Sequence, residues 1–177
     1  RLTLEELDRD SFEKAVDAIV SARKLYIIGV RSCAAMATFM SFYFNLIFDN
    51  VVKVSATTAS EVFESLLRVG EGDVVIGVSF PRYSSRTVQA MNFARSRGAT
   101  TIAITDSEVS PLSPISTYTL KARSDMASFV DSLVAPLSLI NALLVAVSRK
   151  KNDDLANTFE DLEKIWEEYG VYEKVQE

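Results

Sequence analysis

The pattern of hydrophobic and polar positions alternates between two periods along this chain. Short, mainly apolar runs predict strands at 25–28, 51–54, 74–79, 100–105 and about 116–121. Between them, apolar residues recur every three to four positions, which predicts helices at about 11–20, 33–48, 58–70 and 84–97. Strands that alternate with helices favour right-handed crossovers and a parallel sheet covered on both faces. The predicted fold class is therefore α/β, a three-layer αβα sandwich with a five-stranded parallel sheet.

Two segments after the last predicted strand also have helical patterns. Residues 126–148 are apolar nearly all round, but Asp131, Pro136 and Asn141 interrupt them, which favours a buried or subunit-interface helix over a membrane span. The segment 152–169 predicts a final amphipathic helix that packs on the domain or against a partner chain. Its apolar residues in helical register are Leu155, Phe159, Leu162, Ile165 and Trp166. We therefore expect a homodimer or tetramer with no membrane contact.

Composition narrows the classes of function. The 177 residues are 48% hydrophobic, which suits one compact domain, and the net charge of −5 argues against a nucleic-acid-binding surface on this segment. The absence of histidine removes the commonest general base and the commonest transition-metal ligand, so we expect no catalytic residues, no metal and no cofactor. The single cysteine, Cys33, rules out an intramolecular disulfide and fits a reducing, cytoplasmic compartment.

A hydroxyl-rich loop follows the predicted strand 74–79 and opens the next helix. We expect Ser84 to be the N-cap, so that the first N–H groups of the helix point into the loop and attract an anion. Hydroxyls that could join them belong to Ser79, Ser84, Ser85 and Thr87, and Arg82 adds positive charge. The loop suits a phosphomonoester, although many helices without a ligand begin in the same way.

A second loop of this type, Gly29-Val30-Arg31-Ser32-Cys33, follows the first predicted strand and also opens a helix. Gly29 allows a tight turn, Arg31 offers a guanidinium suited to bidentate phosphate contact, and Ser32 can cap the helix and donate. The loop lacks the glycines of the dinucleotide fingerprint, and the chain has no P-loop. In a parallel sheet such loops converge beyond the carboxyl ends of the strands, together with the turn 106–110.

Three motifs resemble one known family. GVRSCAAMA, SFPRYSSRT and ITDSEVSPLSP are similar to segments of the sugar isomerase (SIS) domain of RpiR-type bacterial transcriptional regulators, over about residues 11–170. The resemblance implies a flavodoxin-like fold and an effector domain that binds a phosphosugar. It also implies a DNA-binding helix-turn-helix domain that precedes this segment. On this basis residues 1–10 are a linker and 11–177 are the phosphosugar-binding SIS domain.

Matching positions assign roles within the two loops. Ser84 and Thr87 match the phosphate-loop hydroxyls of the family, and Ser79 matches its strand-end serine. Cys33 departs from the pattern, because the family usually has a second serine there and a thiol is a weak donor. The candidate phosphosugar-binding residues are Arg31, Ser32, Cys33, Ser79, Arg82, Ser84, Ser85 and Thr87.

A sugar-phosphate isomerase on the same fold is the alternative function, since fold alone does not separate a sensor from an enzyme. Isomerisation needs a base, and without histidine the candidates are carboxylates: Glu61, Glu64, Asp106 and Asp131. Glu61 already has the spacing of a capping box with Thr58, and Asp106 could simply order its turn. The missing histidine and the resemblance favour the sensor, in which the ligand shifts domain orientation and thereby DNA binding.

Overall fold

The computed structural model describes residues 8–123 and 132–172. Within the second range, only the backbone of residues 152–156 is described. Five strands form its sheet: β1 (Leu25–Gly29), β2 (Val51–Lys53), β3 (Val74–Val78), β4 (Thr100–Thr105) and β5 (Tyr118–Lys121). The helices are α1 (Arg9–Val20), α2 (Ser32–Ile47), α3 (Ala59–Ser65), α4 (Ser85–Ser96), α5 (Val134–Lys150) and α6 (Asn152–Glu168). A 3₁₀ turn, Ser113–Ile115, precedes β5.

All neighbouring strands pair in parallel, in the order β2-β1-β3-β4-β5. From β1 the chain first moves outward to β2 and then returns to the other side of β1 to form β3. The strand order therefore reverses between β1 and β3, and helices that leave these two strands diverge and open a crevice. The predicted fold class is confirmed, and this reversal fixes where a ligand-sized space can form.

Alternate residues of the central strands face opposite layers. In β1, Leu25 and Ile27 pack in a core with α1, α2 and α5, whereas Tyr26 and Ile28 pack in a second core with α3 and α4. Both faces of the sheet are thus covered, which is why the central strands β1 and β3 are buried apolar runs without polar alternation. This arrangement makes the three layers of the predicted sandwich.

An ion pair fixes the amino ends of β1 and β3 beside each other. Nε and Nη2 of Arg23 donate to the two carboxylate oxygens of Asp73 at 2.9 and 2.8 Å, and the Asp73 carboxylate is fully buried. It also accepts the Gly70 N–H at 2.9 Å. With their amino ends held in this way, the carboxyl ends of the two strands, and the loops that follow them, keep a defined separation.

Helix boundaries differ from the sequence prediction at three places. Helix α1 begins at Arg9 with Asp8 as its N-cap, because the Asp8 carboxylate accepts the Asp10 N–H and the Ser11 hydroxyl. Ser11 is therefore inside the first turn, and the predicted linker, residues 1–10, overlaps the start of this helix. Helix α3 has the predicted Thr58–Glu61 capping box but ends at Ser65, five residues before Gly70.

The third difference concerns the long apolar segment predicted at 126–148. Residues 126–131 lie outside the described residues, and within those described the helix begins only at Val134. Helix α6 agrees with the predicted 152–169 segment to within one residue. Over the part of the chain that the structure describes, no helix has both the length and the hydropathy needed to cross a bilayer.

Candidate functional site

A cavity of about 270 Å³ lies beyond the carboxyl ends of β1 and β3, where the strand order reverses. Its lining comes from both predicted loops: Val30, Arg31, Ser32 and Cys33 from the first, and Ser79, Phe80, Pro81, Arg82 and Ser84 from the second. The structure thus brings together six of the eight candidate binding residues. Ser85, Thr87 and the turn 106–110 do not line this space, which is called the phosphate cavity below after the ligand that the sequence predicts for its two loops.

Gly29 ends β1 because the strand and helix α2 approach each other closely at this point. A Cβ on Gly29 would lie 2.3 Å from the carbonyl oxygen of Cys33, which is backbone and has no rotamer to move. The φ of Gly29 is not positive, so the tight turn expected at this residue is not there. The turn falls on Arg31 instead, and Gly29 serves the close packing that sets the start of α2 beside β1.

Arg31 and Arg82 hold an unfavourable backbone conformation. Their φ angles are 58° and 63°, and they are the non-glycine residues with positive φ within 8–123 and 132–172. Such a conformation costs on the order of 1–3 kcal/mol and persists only where the surroundings impose it. Both arginines line the phosphate cavity with exposed side chains, and neither guanidinium has an ion pair with a described residue. Unneutralised positive charge therefore stands on both sides of the cavity.

Helix α4 begins beside the cavity with an open N-terminus. Ser84 has the extended backbone of an N-cap, as predicted, but its hydroxyl does not cap the helix. Its own N–H donates to Oγ of Ser79 at 3.1 Å, which ties the end of β3 to the start of α4. The N–H groups of the first turn have no partners within the helix. A hydroxyl, these N–H groups and the positive end of the helix dipole are thus available to an anion.

The other two hydroxyl candidates of this loop have different surroundings. Ser85 is the first residue of α4 and its side chain is exposed. Thr87, two residues further on, is completely buried, and its Oγ1 has no hydrogen-bond partner. Among the described residues Ser41 is the other such side chain, and it lies within α2, away from the lining of the phosphate cavity. A buried hydroxyl without a partner costs about 1–3 kcal/mol of stability. The Thr87 hydroxyl in the first turn of α4 is therefore a second destabilising feature near the cavity, after the strained backbone of Arg31 and Arg82.

A hydrogen bond between Tyr83 and Asp106 holds the second loop against the end of β4. The Tyr83 hydroxyl donates to Oδ1 of Asp106 at 2.7 Å, and the hydroxyls of Thr105 and Ser107 also donate to that carboxylate at 3.2 Å. Burial raises the pKa of Tyr83, and the charge of Asp106 raises it further. Asp106 therefore orders the loop and lies outside the phosphate cavity.

Of the remaining candidate bases, the two that the structure describes, Glu61 and Glu64, do not line the cavity either. The hydroxyl of Ser55 donates to Glu61 at 2.7 Å and lowers the pKa of this carboxylate, which weakens it as a base. Glu64 is exposed on α3, and Asp131 lies outside the described residues. Among the residues that the structure describes, no carboxylate lines the phosphate cavity. The described lining thus offers hydrogen-bond donors to an anion.

A second cavity, of about 320 Å³, adjoins the first and was not predicted from the sequence. The two share Val30 and Arg31, and the second extends toward the edge strand β2. Its other lining residues are Gly29, Ala34, Ala37, Thr38, Lys53, Val54, Ser55, Ala56 and Thr57. A signal is nevertheless present in the sequence, since β2 ends with a lysine and a Ser-Ala-Thr-Thr run follows it, as hydroxyl-rich loops follow β1 and β3.

The charges around both cavities have one sign. Arg31 and Arg82 line the first, Arg31 and Lys53 line the second, and no acidic residue lines either one in the described part of the chain. The whole chain nevertheless carries a net charge of −5. A local positive potential within an acidic protein concentrates anions at that place. The arrangement is suited to an anionic small molecule that bears several oxygens.

Known proteins resemble this chain in sequence. It matches the family model of the SIS domain over residues 18–146. Over 167 residues it is 27% identical to an uncharacterized HTH-type transcriptional regulator of Caldanaerobacter subterraneus subsp. tengcongensis, an alignment that covers 92% of this chain and 58% of that protein. Across three such curated relatives the chain spans between 51% and 58% of their length.

Solved structures resemble the fold. The sugar isomerase domain of an RpiR transcription factor from Sphaerobacter thermophilus superimposes with a TM-score of 0.82 and 28% identity, over 92% of this chain and 90% of that one. The NanR protein of Vibrio vulnificus, complexed with ManNAc-6P, has a TM-score of 0.82 at 18% identity, over 97% of this chain and 65% of that one. At 18% identity the second likeness speaks for the fold alone.

Proposed function

Because the chain belongs to the SIS domain family, whose RpiR-type members it resembles across nearly its whole length, we propose that it is the phosphosugar-sensing effector domain of a transcriptional regulator. One observation carries the proposal. At the reversal point of the sheet, two unpaired arginines and three serines line a cavity that has no carboxylate among the described residues. These groups match the charge and the acceptor oxygens of a phosphomonoester.

The residues of the cavity and of the helix N-terminus beside it each have a role in this proposal. The guanidinium groups of Arg31 and Arg82 bind phosphate oxygens from two sides, and Ser84 donates its hydroxyl beside the open N-terminus of α4. Ser85 contributes its backbone N–H, and the buried hydroxyl of Thr87 gains the partner that it lacks in the free protein. The remaining donors are Ser32, Ser79 and, weakly, the thiol of Cys33.

We infer that the domain binds its ligand without converting it. The described part of the phosphate cavity has no carboxylate, the chain has no histidine, and Asp106 is committed to Tyr83, Thr105 and Ser107. An aldose–ketose isomerisation needs a base within hydrogen-bond reach of the carbon-bound proton. Sensing is therefore the better function for this lining, and product analysis tests the isomerase.

We further propose that this chain supplies only part of a longer, cytoplasmic regulator. It spans about half the length of relatives that are named HTH-type regulators, so DNA contact falls to a helix-turn-helix domain joined by the segment 1–10. Exposed apolar side chains on α2, α5 and α6 border a groove of about 460 Å³, which suits a homodimer or tetramer contact. The ligand acts by binding one arrangement of subunits and domains more tightly than another.

A thermal-shift panel of sugar phosphates tests the proposed function. Each sugar phosphate is compared with its unphosphorylated sugar and with inorganic phosphate, at concentrations from micromolar to millimolar. We expect at least one sugar phosphate to raise the melting temperature in a concentration-dependent manner while its sugar does not, because only a ligand of the folded state stabilises it.

Two outcomes would contradict this proposal. If no sugar phosphate raised the melting temperature in a phosphate-dependent manner, sugar phosphates would not be the ligands of this cavity. Conversion of the stabilising sugar phosphate to another sugar phosphate, detected by chromatography after prolonged incubation, would replace the sensor by the isomerase.

Replacing Ser84 by alanine and Thr87 by valine tests the hydroxyl roles. We expect the double variant to bind the panel ligand about 100-fold or more weakly, because each of the two lost hydrogen bonds to a charged group is worth about 1.5–3 kcal/mol. Thr87→Val alone should also raise the free energy of unfolding of the ligand-free chain, since valine removes the orphaned buried hydroxyl. Calorimetric titration and chemical denaturation measure the two effects. Ser85→Ala is the matched control, because its exposed hydroxyl is assigned no contact; equal affinity of the double variant and the parent chain would remove both hydroxyls from the site.

A further inference from the structure

The second cavity, beside β2, is a place where the ligand of the phosphate cavity can extend. The two spaces meet at Val30 and Arg31, so a molecule whose phosphate occupies the first can pass this backbone and enter the second. Lys53 is the last residue of β2 and pairs with Ile27 of β1. It therefore lies toward the carboxyl ends of the strands, where both cavities open. Its ammonium therefore stands at the far side of such a ligand from Arg82.

The charge of the Lys53 ammonium is not neutralised by any described carboxylate. Its Nζ donates to Oγ1 of Thr38 at 3.3 Å, and no described carboxylate pairs with it. Two other charged groups lie behind the lining and are occupied. Arg86 donates to the carbonyls of Ala56 and Thr57 at 2.8 and 3.0 Å, and Glu61 accepts from the Ser55 hydroxyl. The charge that faces the second cavity is thus that of Arg31 and Lys53.

Charge balance then indicates the class of ligand. A phosphomonoester carries about −1.5 to −2 at pH 7, which Arg31 and Arg82 can neutralise. Lys53 remains as a third positive charge, and the nearby hydroxyls of Thr38 and Thr57 are donors and acceptors without charge. A single carboxylate at the other end of the sugar would complete the balance.

Resting on the proposed phosphosugar function, we infer that the ligand is a sugar-acid phosphate, with its phosphate between Arg31 and Arg82 and its carboxylate against Lys53. Lysine on an edge strand also discourages unwanted strand pairing, which requires only that it be charged and exposed. The carboxylate assignment requires more, namely a preference between ligands that depends on this one side chain.

The test compares ligands that differ at one carbon. From the sugar phosphate that the thermal-shift panel selects, the alditol phosphate and the aldonic acid phosphate are titrated in a calorimeter at low ionic strength. For a glucose 6-phosphate hit these are glucitol 6-phosphate and 6-phosphogluconate, which exchange only a terminal CH₂OH for a carboxylate. We expect the acid to bind about fivefold more tightly, in line with a solvent-accessible ion pair.

Substitution of Lys53 then assigns this preference to a residue. Lys53→Gln should bring the ratio of the two dissociation constants to about one, and Lys53→Arg should retain most of the preference. The matched control is Lys24→Gln, which removes the same charge just before β1. Lys24 lies at the amino ends of the strands, away from both cavities, so this variant should leave the ratio unchanged.

Three results would overturn the inference. Equal affinity of the parent chain for the alditol and acid phosphates would do so while the proposed function stands. Tighter binding of the 1,6-bisphosphate of the same alditol than of the acid, lost in Lys53→Gln, would assign a second phosphate to Lys53 instead. A panel without any phosphate-dependent binder would end the proposed function and this inference together.

Discussion

Replacing Arg31 and Arg82 together by glycine is expected to abolish measurable phosphosugar binding without destabilising the fold. Two guanidinium contacts to a phosphate are worth about 1.5–3 kcal/mol each, so affinity should fall at least 100-fold. At the same time glycine accepts the positive φ angles of 58° and 63° without strain. Relief of the strained backbone offsets the greater freedom of glycine in the unfolded chain. The free energy of unfolding should stay level or rise by about 1 kcal/mol, which chemical denaturation measures.

The corresponding glutamine variants separate charge from backbone strain. Arg31→Gln with Arg82→Gln removes both guanidinium groups but keeps a side chain at each positive φ. We expect the same loss of binding and no gain in stability. A glycine double variant that is less stable than the parent by more than about 1 kcal/mol would contradict the assigned strain, and one that keeps its affinity would remove both arginines from the phosphate site.

Three unfavourable features of the described chain lie close together at the phosphate cavity. Arg31 and Arg82 have strained backbones, and the hydroxyl of Thr87 is buried without a partner near the same loop. Elsewhere, apart from the orphaned hydroxyl of Ser41 in α2, the described chain has apolar central strands between two helical layers and a paired buried carboxylate at Asp73. Strained backbone and unpaired buried polar groups are expected at binding sites, where a bound ligand can compensate for their cost. Stability and binding should therefore change in opposite directions at these positions, which distinguishes a binding site from a merely irregular loop.

The sequence was sufficient for the fold because its signals are local and repeated. The central strands are short, mainly apolar runs that are buried on both faces, as Leu25 to Ile28 illustrate, and the connections up to β4 have a helical period. The order of connections then leaves few topologies. Loops beyond the carboxyl ends of β1 and β3 could likewise be expected to meet, and Ser79, Ser84 and Arg31 do lie around one space.

The sequence does not predict the backbone conformation of the two loops or the chain segments that pack beside them. Arginine gives no signal of a positive φ, so the sequence predicts a tight turn at Gly29, whereas the turn falls on Arg31. A serine before a helix is usually a cap, yet the Ser84 hydroxyl leaves the helix uncapped. The contribution of Lys53 depends on strand register and on the close approach of α2, which no local pattern of residues encodes. These details decide ligand chemistry, and they arise from tertiary packing.

Gly29→Ala is expected to lower the free energy of unfolding by about 3 kcal/mol, at the upper end of the range for an added methyl group in a packed core. The new Cβ would stand 2.3 Å from the Cys33 carbonyl oxygen and 3.1 Å from the Ala37 Cβ. Because the first of these atoms belongs to the backbone of α2, the helix must move away from β1. That movement would displace Arg31, which precedes the helix, so phosphosugar affinity should fall together with stability.

Gly70→Ala is the matched control for this prediction, because the nearest atom to its added Cβ is the Arg97 carbonyl oxygen at 3.7 Å and its φ is not positive. We expect its unfolding free energy to be unchanged or slightly higher and its ligand affinity to equal that of the parent chain. Denaturation and titration of both variants measure the contrast. If Gly29→Ala were as stable as Gly70→Ala, the close approach of β1 and α2 would not hold the first loop in place. Loss of affinity in Gly29→Ala beyond what its unfolded fraction explains would show that this contact positions Arg31.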